Sequence, residues 1–514
     1  MKSRSVLVQA ALLVLLVVHP ASWSLAGGYT IVDTAQERCY NNTHENIYPK
    51  PADAFFGQDA QYQGNQPAYR DNGDGTVTDR TTGLMWQKDP GPKKTFREAV
   101  TGASACRLAG HADWRLPTIK ELYSLILFSG IDPDPRSADS SKQRPFIDTD
   151  HFVFQYGDAA KNERIIDSQY ATSTQYVGKT MRGNDTMFGV NFADGRIKGY
   201  PISHPGRSGR TKRYYVMYVR GNTGYGKNQF HDNGDGTITD GATGLAWMKL
   251  DSGHLKAGKN RDGKLNWEQA LHWAENLEYA GHSDWRLPNV KELQSIVDYT
   301  RSPSTSKSAA IDPIFEVTSI TNEGGKKDYP FYWSSTTHTR LHSGAAASYV
   351  AFGESLGWMQ SFRGGRQLMD VHGAGSQRSD PKAGDPSRFP YGRGPQGDVI
   401  RIYNFVRAVR GGKATPKTSG PKVEMTEAQH GGPGEGRRPE QGTPPGMRPD
   451  AGPGRERAPG NFSRFVQRLD RNRDGKVSKS EFDGPANHFD HLDRDGDGYL
   501  SESEMPQGPP RGNR

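Results

Sequence analysis

Residues 69–88 read YRDNGDGTVTDRTTGLMWQK, and residues 230–249 read FHDNGDGTITDGATGLAWMK; thirteen of the twenty positions are identical. A second block follows in each case, GHADWRLPTIKELYSLI at 110–126 and GHSDWRLPNVKELQSIV at 281–297. The copies also end alike, on Tyr218-Val219-Arg220-Gly221 and Ala408-Val409-Arg410-Gly411. The chain therefore carries one domain twice, over 66–222 and 227–411. Each copy is long enough to bury its own core and far longer than a solenoid unit.

Local signals agree between the copies. Asn-Gly and Asp-Gly within 71–75 supply positive φ at low cost and predict a turn, with hairpin strands at 76–78 and 84–87. Helical spacing predicts helices over 96–108 and 267–279, the second carried by Trp267, Ala270, Leu271, Ala274 and Leu277. Thr118-x-x-Glu121 is a capping box and Asn289-x-x-Glu292 its variant, so a second helix starts after each DWRLP run. Arg115 and Arg286 in those runs are expected to pair with Glu121 and Glu292, a structural role. Short strands are predicted at 332–336, 348–352 and 404–409. The fold class is α+β.

This order of blocks resembles the C-terminal domain of the Legionella collagen-like adhesin, over nearly all of both copies. The resemblance implies a C-type-lectin-like fold: two helices, a small sheet, long loops and paired terminal strands. It also implies adhesion, with sulfated polysaccharides as ligands of the founding member. A lectin-type calcium–sugar site is not expected, because the strand reads Trp333-Ser334-Ser335, or Ala171-Thr172-Ser173 in copy one, and lacks the converging oxygens. No nucleophile–base constellation is visible, so no enzymatic activity is expected. The acidic turns Asp71/Asp74/Asp79 and Asp232/Asp235/Asp240 have the wrong spacing for an EF-hand and read as polar turns.

A basic surface carries the ligand expectation. Residues 195–213 hold Arg196, Lys198, Arg207, Arg210, Lys212 and Arg213 with no acid. In copy two, Trp358, Arg363 and Arg366 cluster with Phe362. Guanidinium forks match sulfate and phosphate, and aromatic rings stack on sugar faces. The expected partner is a polyanionic glycan or matrix polymer. Nucleic acid is not expected, since no motif for it appears.

The C-terminus holds the sharpest chemical pattern. Asp470, Asn472, Asp474, Lys476, Ser478 and Glu481 fall at positions 1, 3, 5, 7, 9 and 12 of an EF-hand loop. Asp493, Asp495, Asp497, Tyr499, Ser501 and Glu504 repeat it, and Gly475 and Gly498 fill position 6. Lys476 and Tyr499 serve through backbone carbonyls. Two calcium ions are expected. Val477 and Leu500, at position 8, are expected to pair in a small ladder. Only eleven residues separate Glu481 from Asp493, with Gly484-Pro485 among them, and Pro506 ends the last helix early. Such stubs fit a structural calcium site better than a sensor that opens. Calcium-dependent docking of a protein partner, as dockerin-like modules do, is the alternative reading.

Length and composition frame these units. The 514 residues have a net charge of +8, 61 Gly and 33 Pro. A mean hydropathy of −0.82 excludes a multi-span membrane protein. Lys2 and Arg4, the apolar run 6–18 and Ser24-Leu25-Ala26 read as a signal peptide over 1–26, so export is expected. Residues 27–65 form a lead-in segment. Residues 412–460, rich in Gly and Pro, read as a disordered linker before the EF-hand pair at 461–506, with a disordered tail at 507–514. Two cysteines, Cys39 and Cys106, exclude multi-cysteine metal modules. They either form one disulfide or stay as thiols; Cys106 falls where copy two has Leu277, a core position.

Overall fold

The computed structural model describes residues 28–421, apart from 138, 140, 204–210, 342 and 362–363, together with 477–479, 481–482, 489, 493 and 498–500. The chain divides into two compact units, 1–426 and 427–514. The expected signal peptide and the linker from 422 onward lie outside the described residues. Among the described residues no helix is long and apolar enough to cross a membrane.

Each repeat opens with the same four-stranded antiparallel sheet. In repeat one it is built from Tyr69–Asp71, Thr76–Asp79 and Met85–Gln87, closed by Val219–Arg220 near the repeat's end. In repeat two Phe230–Asp232, Thr237–Asp240, Leu245–Met248 and Val409–Gly411 are arranged the same way. The register is also the same. Val77 faces Trp86 and Ile238 faces Trp247, and all four are fully buried. The tight turn between the first two strands needs Gly73 and Gly75 at φ 77° and 85°, where a Cβ is costly. Asp71 accepts from the Gly73 amide, and Asp74 from the Thr76 amide and hydroxyl. Lys88 then pairs with Asp71 at 2.5 Å, and Lys249 with Asp232 at 2.7 Å. These carboxylates serve the turns, in line with the polar-turn reading.

Four helices follow the capping signals: α1 (Phe96–Ala105), α2 (Ile119–Tyr123), α3 (Trp267–Glu275) and α4 (Val290–Ser295). Every one begins with a complete capping box, led by Thr95, Thr118, Asn266 and Asn289. Arg286 meets Glu292 through two hydrogen bonds of 2.7 and 2.6 Å, and Arg115 meets Glu121. The helices are short. The unit is mostly sheet, so the expected α+β balance shifts toward β. Of the strands predicted late in repeat two, those at 332–336 and 348–352 form as Phe331–Thr337 and Ala346–Ala351. The third forms only from Val409, because Asn404 and Phe405 make isolated bridges.

The repeats are fused through a sheet that neither copy could complete alone. Gln169–Gln175, Thr186–Asn191 and Arg196–Pro201 of repeat one continue into Gln377–Pro381, Ala346–Ala351 and Phe331–Thr337 of repeat two. At the junction Ile197 pairs with Gln377. Behind this sheet α2 and α4 meet, and each lends the other a lysine. Lys120 of α2 donates to the Ser295 carbonyl at the end of α4 at 2.6 Å, and Lys291 of α4 donates to the Ser124 carbonyl at the end of α2 at 2.9 Å. A cation at a helix C-terminus satisfies orphan carbonyls and the dipole together. Among the described residues neither ammonium has a carboxylate partner. The lead-in segment straps the seam. Gln36 exchanges two 2.8 Å hydrogen bonds with Thr337, and buried Asp59 accepts from Thr34 at 2.7 Å and Thr336 at 2.6 Å.

Cys39 and Cys106 are free, so of the two alternatives the disulfide is not formed. Cys39 is buried in the lead-in, where burial pushes its thiol up to about 12. Cys106 packs partly buried against the core cluster of Phe96 and Trp114, as its equivalence to Leu277 predicts.

In the second unit Val477–Ser478 pairs antiparallel with Tyr499–Leu500, matching Val477 to Leu500. Val477, Phe489 and Leu500 are buried with Phe482 against them, the two rings 5.5 Å apart.

Candidate functional site

One face of the fused sheet forms the floor of a cleft of about 2190 Å³ that both repeats line. The floor comes from the strands Arg196–Pro201 and Gln377–Pro381; the walls come from loops around Pro133, Asn162, Arg340 and Arg393. Eleven Lys or Arg side chains and eight Asp or Glu side chains line it, so the cleft is net basic.

Most of these charges are matched to one another. Asp132 accepts both guanidinium nitrogens of Arg196, at 2.8 and 3.1 Å, and the Arg340 Nε at 3.1 Å. Burial alone would raise this carboxyl, but Arg196 and His338 hold it well below the usual carboxylate range. Arg340 and His338 belong to repeat two, so Asp132 ties the repeats across the cleft. On the other side Asp398 binds Arg378 and the Nε2 of His372, the latter at 2.8 Å. Burial, then the Arg378 charge, bring His372 down to about 4 against the pull of Asp398, so its ring is neutral at pH 7. Lys198 pairs with Asp194; burial lowers its ammonium to about 8. Around the mouth Arg164 pairs with Asp167 at 2.8 Å and Lys93 with Glu163 at 2.6 Å.

Two cations are left over among the described residues, and a third is only partly matched. Lys212 has no carboxylate partner among the described residues and lies over the rings of Tyr200 at 5.1 Å and Tyr214 at 5.6 Å. Burial lowers it to about 8. Arg393 is exposed, also without an acidic partner among the described residues, and rests on the Phe389 ring at 5.2 Å. Its guanidinium is shifted down by burial and then by the charge of Arg340, so these two cations lie within reach of each other's field. Arg340 is half exposed and shares Asp132 with Arg196. Like charges kept close and only partly compensated destabilise a fold, and they favour an anion arriving from solution.

The basic segment predicted at 195–213 is thus partly corrected. Arg196 is not a ligand-facing loop residue: it sits in a strand, 7% exposed, and its guanidinium is consumed by Asp132, Asp194 and Ser379. Lys198 is on the cleft floor. Arg213 is exposed but paired with Glu98 at 3.0 Å. Lys212 is the member of the segment free to act. Arg207 and Arg210 lie outside the described residues, as does Arg363. Trp358 and Arg366 fall on a hairpin, Leu356–Gln360 with Arg366–Asp370, beside Tyr391. Trp358 meets the Tyr391 ring edge-on at 6.0 Å, and Arg366 lies 5.0 Å above it. Sequence reasoning missed Arg340 and Arg393, which stand alone among neutral residues and reach the cleft only through the fold.

In the second unit, the expected calcium ligands among the described residues are Ser478, Glu481, Asp493 and Tyr499. Asp470, Asn472, Asp474, Lys476, Asp495, Asp497, Ser501 and Glu504 lie outside them. No group of three His, Cys, Asp or Glu that could hold a metal is found among the described residues. Gly498 has φ 81° and donates its amide to Asp493 Oδ2 at 2.9 Å, the turn that position 6 of such a loop requires. Asp493 Oδ1 is buried without a hydrogen-bond partner among the described residues, and Glu481 accepts from the Ser478 amide and hydroxyl at 3.0 and 2.7 Å. Hard oxygens, a left-handed glycine and an orphaned carboxylate oxygen fit a calcium ion.

Neither a search of curated proteins nor a search of solved structures found a match. Among protein families, the model of the Lcl C-terminal domain matches residues 75–220 and 236–375. Those two segments cover more than half of the chain, which belongs to the Lcl C-terminal domain family and carries that domain twice in tandem.

Proposed function

We propose that this protein is an exported adhesin-type binding protein, acting at the cell surface or in the periplasm, whose fused lectin-like repeats hold a polyanionic glycan or matrix polymer in the cleft between them. The observation that carries the reading is the set of cations in that cleft, Lys212, Arg340 and Arg393, that the protein's own carboxylates leave wholly or partly uncompensated. Binding rather than turnover is proposed, since the His–Asp pairs at the cleft, His372–Asp398 and His338–Asp132, are buried and engaged with Arg378 and Arg196. The test is the triple variant Lys212→Ala/Arg340→Ala/Arg393→Ala, with dextran sulfate as probe. Three lost charged contacts at roughly 1 kcal/mol or more each weaken binding by about 100-fold. Arg196 keeps Asp132 paired, so the fold is retained. An unchanged affinity would refute the assignment of the cleft.

The second unit is proposed to bind two calcium ions, held by Asp470, Asn472, Asp474, Lys476, Ser478 and Glu481 and by Asp493, Asp495, Asp497, Tyr499, Ser501 and Glu504. The ions would supply the charge that lets these carboxylates converge, coupling metal binding to folding. The inward packing of Val477, Phe489 and Leu500 supports a structural role over a docking groove. Affinity in the extracellular range, on the order of 10⁻⁴–10⁻³ M, is expected. Chelation of the full chain should abolish hydrogen-exchange protection at 477–500 and leave 28–421 unchanged. Protection that persists in chelator would contradict the calcium assignment.

A further inference from the structure

Lys120 reaches across the seam to a side chain of the other repeat. Its Nζ donates to Asn228 Oδ1 at 2.9 Å, and to the carbonyls of Gly226 at 3.1 Å and Ser295 at 2.6 Å. The Asn228 amide is held at its other end. Its Nδ2 donates to Asp240 Oδ2 at 2.8 Å and to the Tyr29 hydroxyl at 3.3 Å. Asp240 is fully buried, and the backbone amides of Gln229 and Ala242 fix its Oδ1 at 2.8 and 3.0 Å. Tyr29 and Tyr225, both buried with their rings 4.9 Å apart, line the same small cavity as Lys120. Gly226 permits the close approach: at φ 79°, a Cβ there would lie 2.8 Å from the Cβ of Lys120.

An amine, a carboxamide and a carboxylate in succession form a reactive set. A neutral lysine amine is a nucleophile, and burial lowers the Lys120 ammonium to about 8. We propose that Lys120 and Asn228 form an isopeptide bond that joins the two repeats covalently, with Asp240 as the proton carrier. Lys120 Nζ attacks Asn228 Cγ; the Nζ–Cγ bond forms and the Cγ–Nδ2 bond breaks. Asp240 takes one proton from Nζ and delivers it to Nδ2, which its Oδ2 already touches, and that nitrogen leaves as ammonia.

The twin site offers a comparison within the same chain. Lys291 holds in α4 the place of Lys120, and Asp79 holds in repeat one the place of Asp240. Lys291 is near enough for its charge to act on Asp79. Pro67 stands where repeat two has Asn228, so that pair has no such amide between its members. Asp79 Oδ2 accordingly lacks a hydrogen-bond partner among the described residues. The bond is thus confined to one lysine of the two. In chains where it has formed Lys120 no longer titrates, and the pH response of the helix lysines is that of Lys291.

The test is the intact mass of the full chain, purified and then held above about pH 8, where the amine is neutral. The chain should be one ammonia lighter than its composition requires, and trypsin should release a branched peptide linking Lys120 to Asn228. Asn228→Ala should keep the full mass, and Lys291→Met should lose ammonia as the unaltered chain does. A wild-type chain of full mass, with Lys120 and Asn228 recovered in separate peptides, overturns the proposal. So does a loss of ammonia that persists in Asn228→Ala.

Discussion

Replacing Asp132 with alanine is expected to lower the stability of the repeat pair by about 3–5 kcal/mol, because it strands a buried cation. Arg196 has an 8% exposed side chain, and Asp132 accepts two of the four hydrogen bonds that its terminal nitrogens donate. The remaining carboxylate, Asp194, is 3.7 Å away and committed to Lys198. Arg340 and the neutral His338 lose the same partner, so the defect falls on the contact between repeats. Asp134→Ala is the control: its carboxylate is 54% exposed and pairs only with Arg136, itself 91% exposed. It should change stability by less than about 0.5 kcal/mol. Denaturant unfolding of the two variants would separate them. Equal, small effects would mean that Asp132 does not hold the seam.

A second large effect concerns pH. Lys291 and Lys120 are held by carbonyls alone, and burial lowers them to about 7 and about 8. A group whose folded pKa is depressed contributes stability that is fully present above its unfolded pKa, near 10.5, and lost as pH falls through the folded value. Stability should therefore rise between about pH 7 and pH 10, by an amount on the order of several kcal/mol. Buried Lys198 and Lys212, both near 8, act in the same direction. Buried carboxyls act oppositely at lower pH. Burial raises Asp59, Asp370 and Asp380 to about 7, and their contribution, complete below about pH 4, is lost as pH rises to 7. Buried tyrosines such as Tyr225, shifted well above 10, reverse the rise in strong alkali. The thermal midpoint should thus pass through a shallow minimum near neutrality and a maximum near pH 10. Lys120→Met/Lys291→Met should flatten much of the alkaline rise. A rise of undiminished slope in that variant would contradict the role given to these lysines.

The sequence carried the local structure well. Identical turns, capping boxes and the Arg–Glu brackets at Arg115 and Arg286 depend on residues a few positions apart, and they form as read. The ladder between Val477 and Leu500 likewise follows from loop position alone. What could not be read was long-range. Arg196 looked like a loop cation because its neutralising partner, Asp132, is 64 residues away. The fused sheet was invisible because Gln377–Pro381, a polar stretch, pairs on one side with Ala346–Ala351 of its own repeat and on the other with Ile197 of repeat one. Arg340 and Arg393 join Lys212 only through that fusion. The lysines of the two KEL helices carried a signal in retrospect: Lys120 and Lys291 stand at the same place in both copies, which marks a role that both copies share.

The central claim, that a polyanion lies in the cleft between the repeats, is tested most directly by an arginine footprint. The full chain would be labelled with phenylglyoxal, with and without saturating dextran sulfate, and each site read by mass spectrometry. Arg340 and Arg393 should be protected by the polymer, while Arg80 and Arg97, exposed elsewhere on repeat one, should react as before. Unchanged labelling of Arg340 and Arg393 in the presence of bound polymer would place the ligand somewhere else and contradict the account.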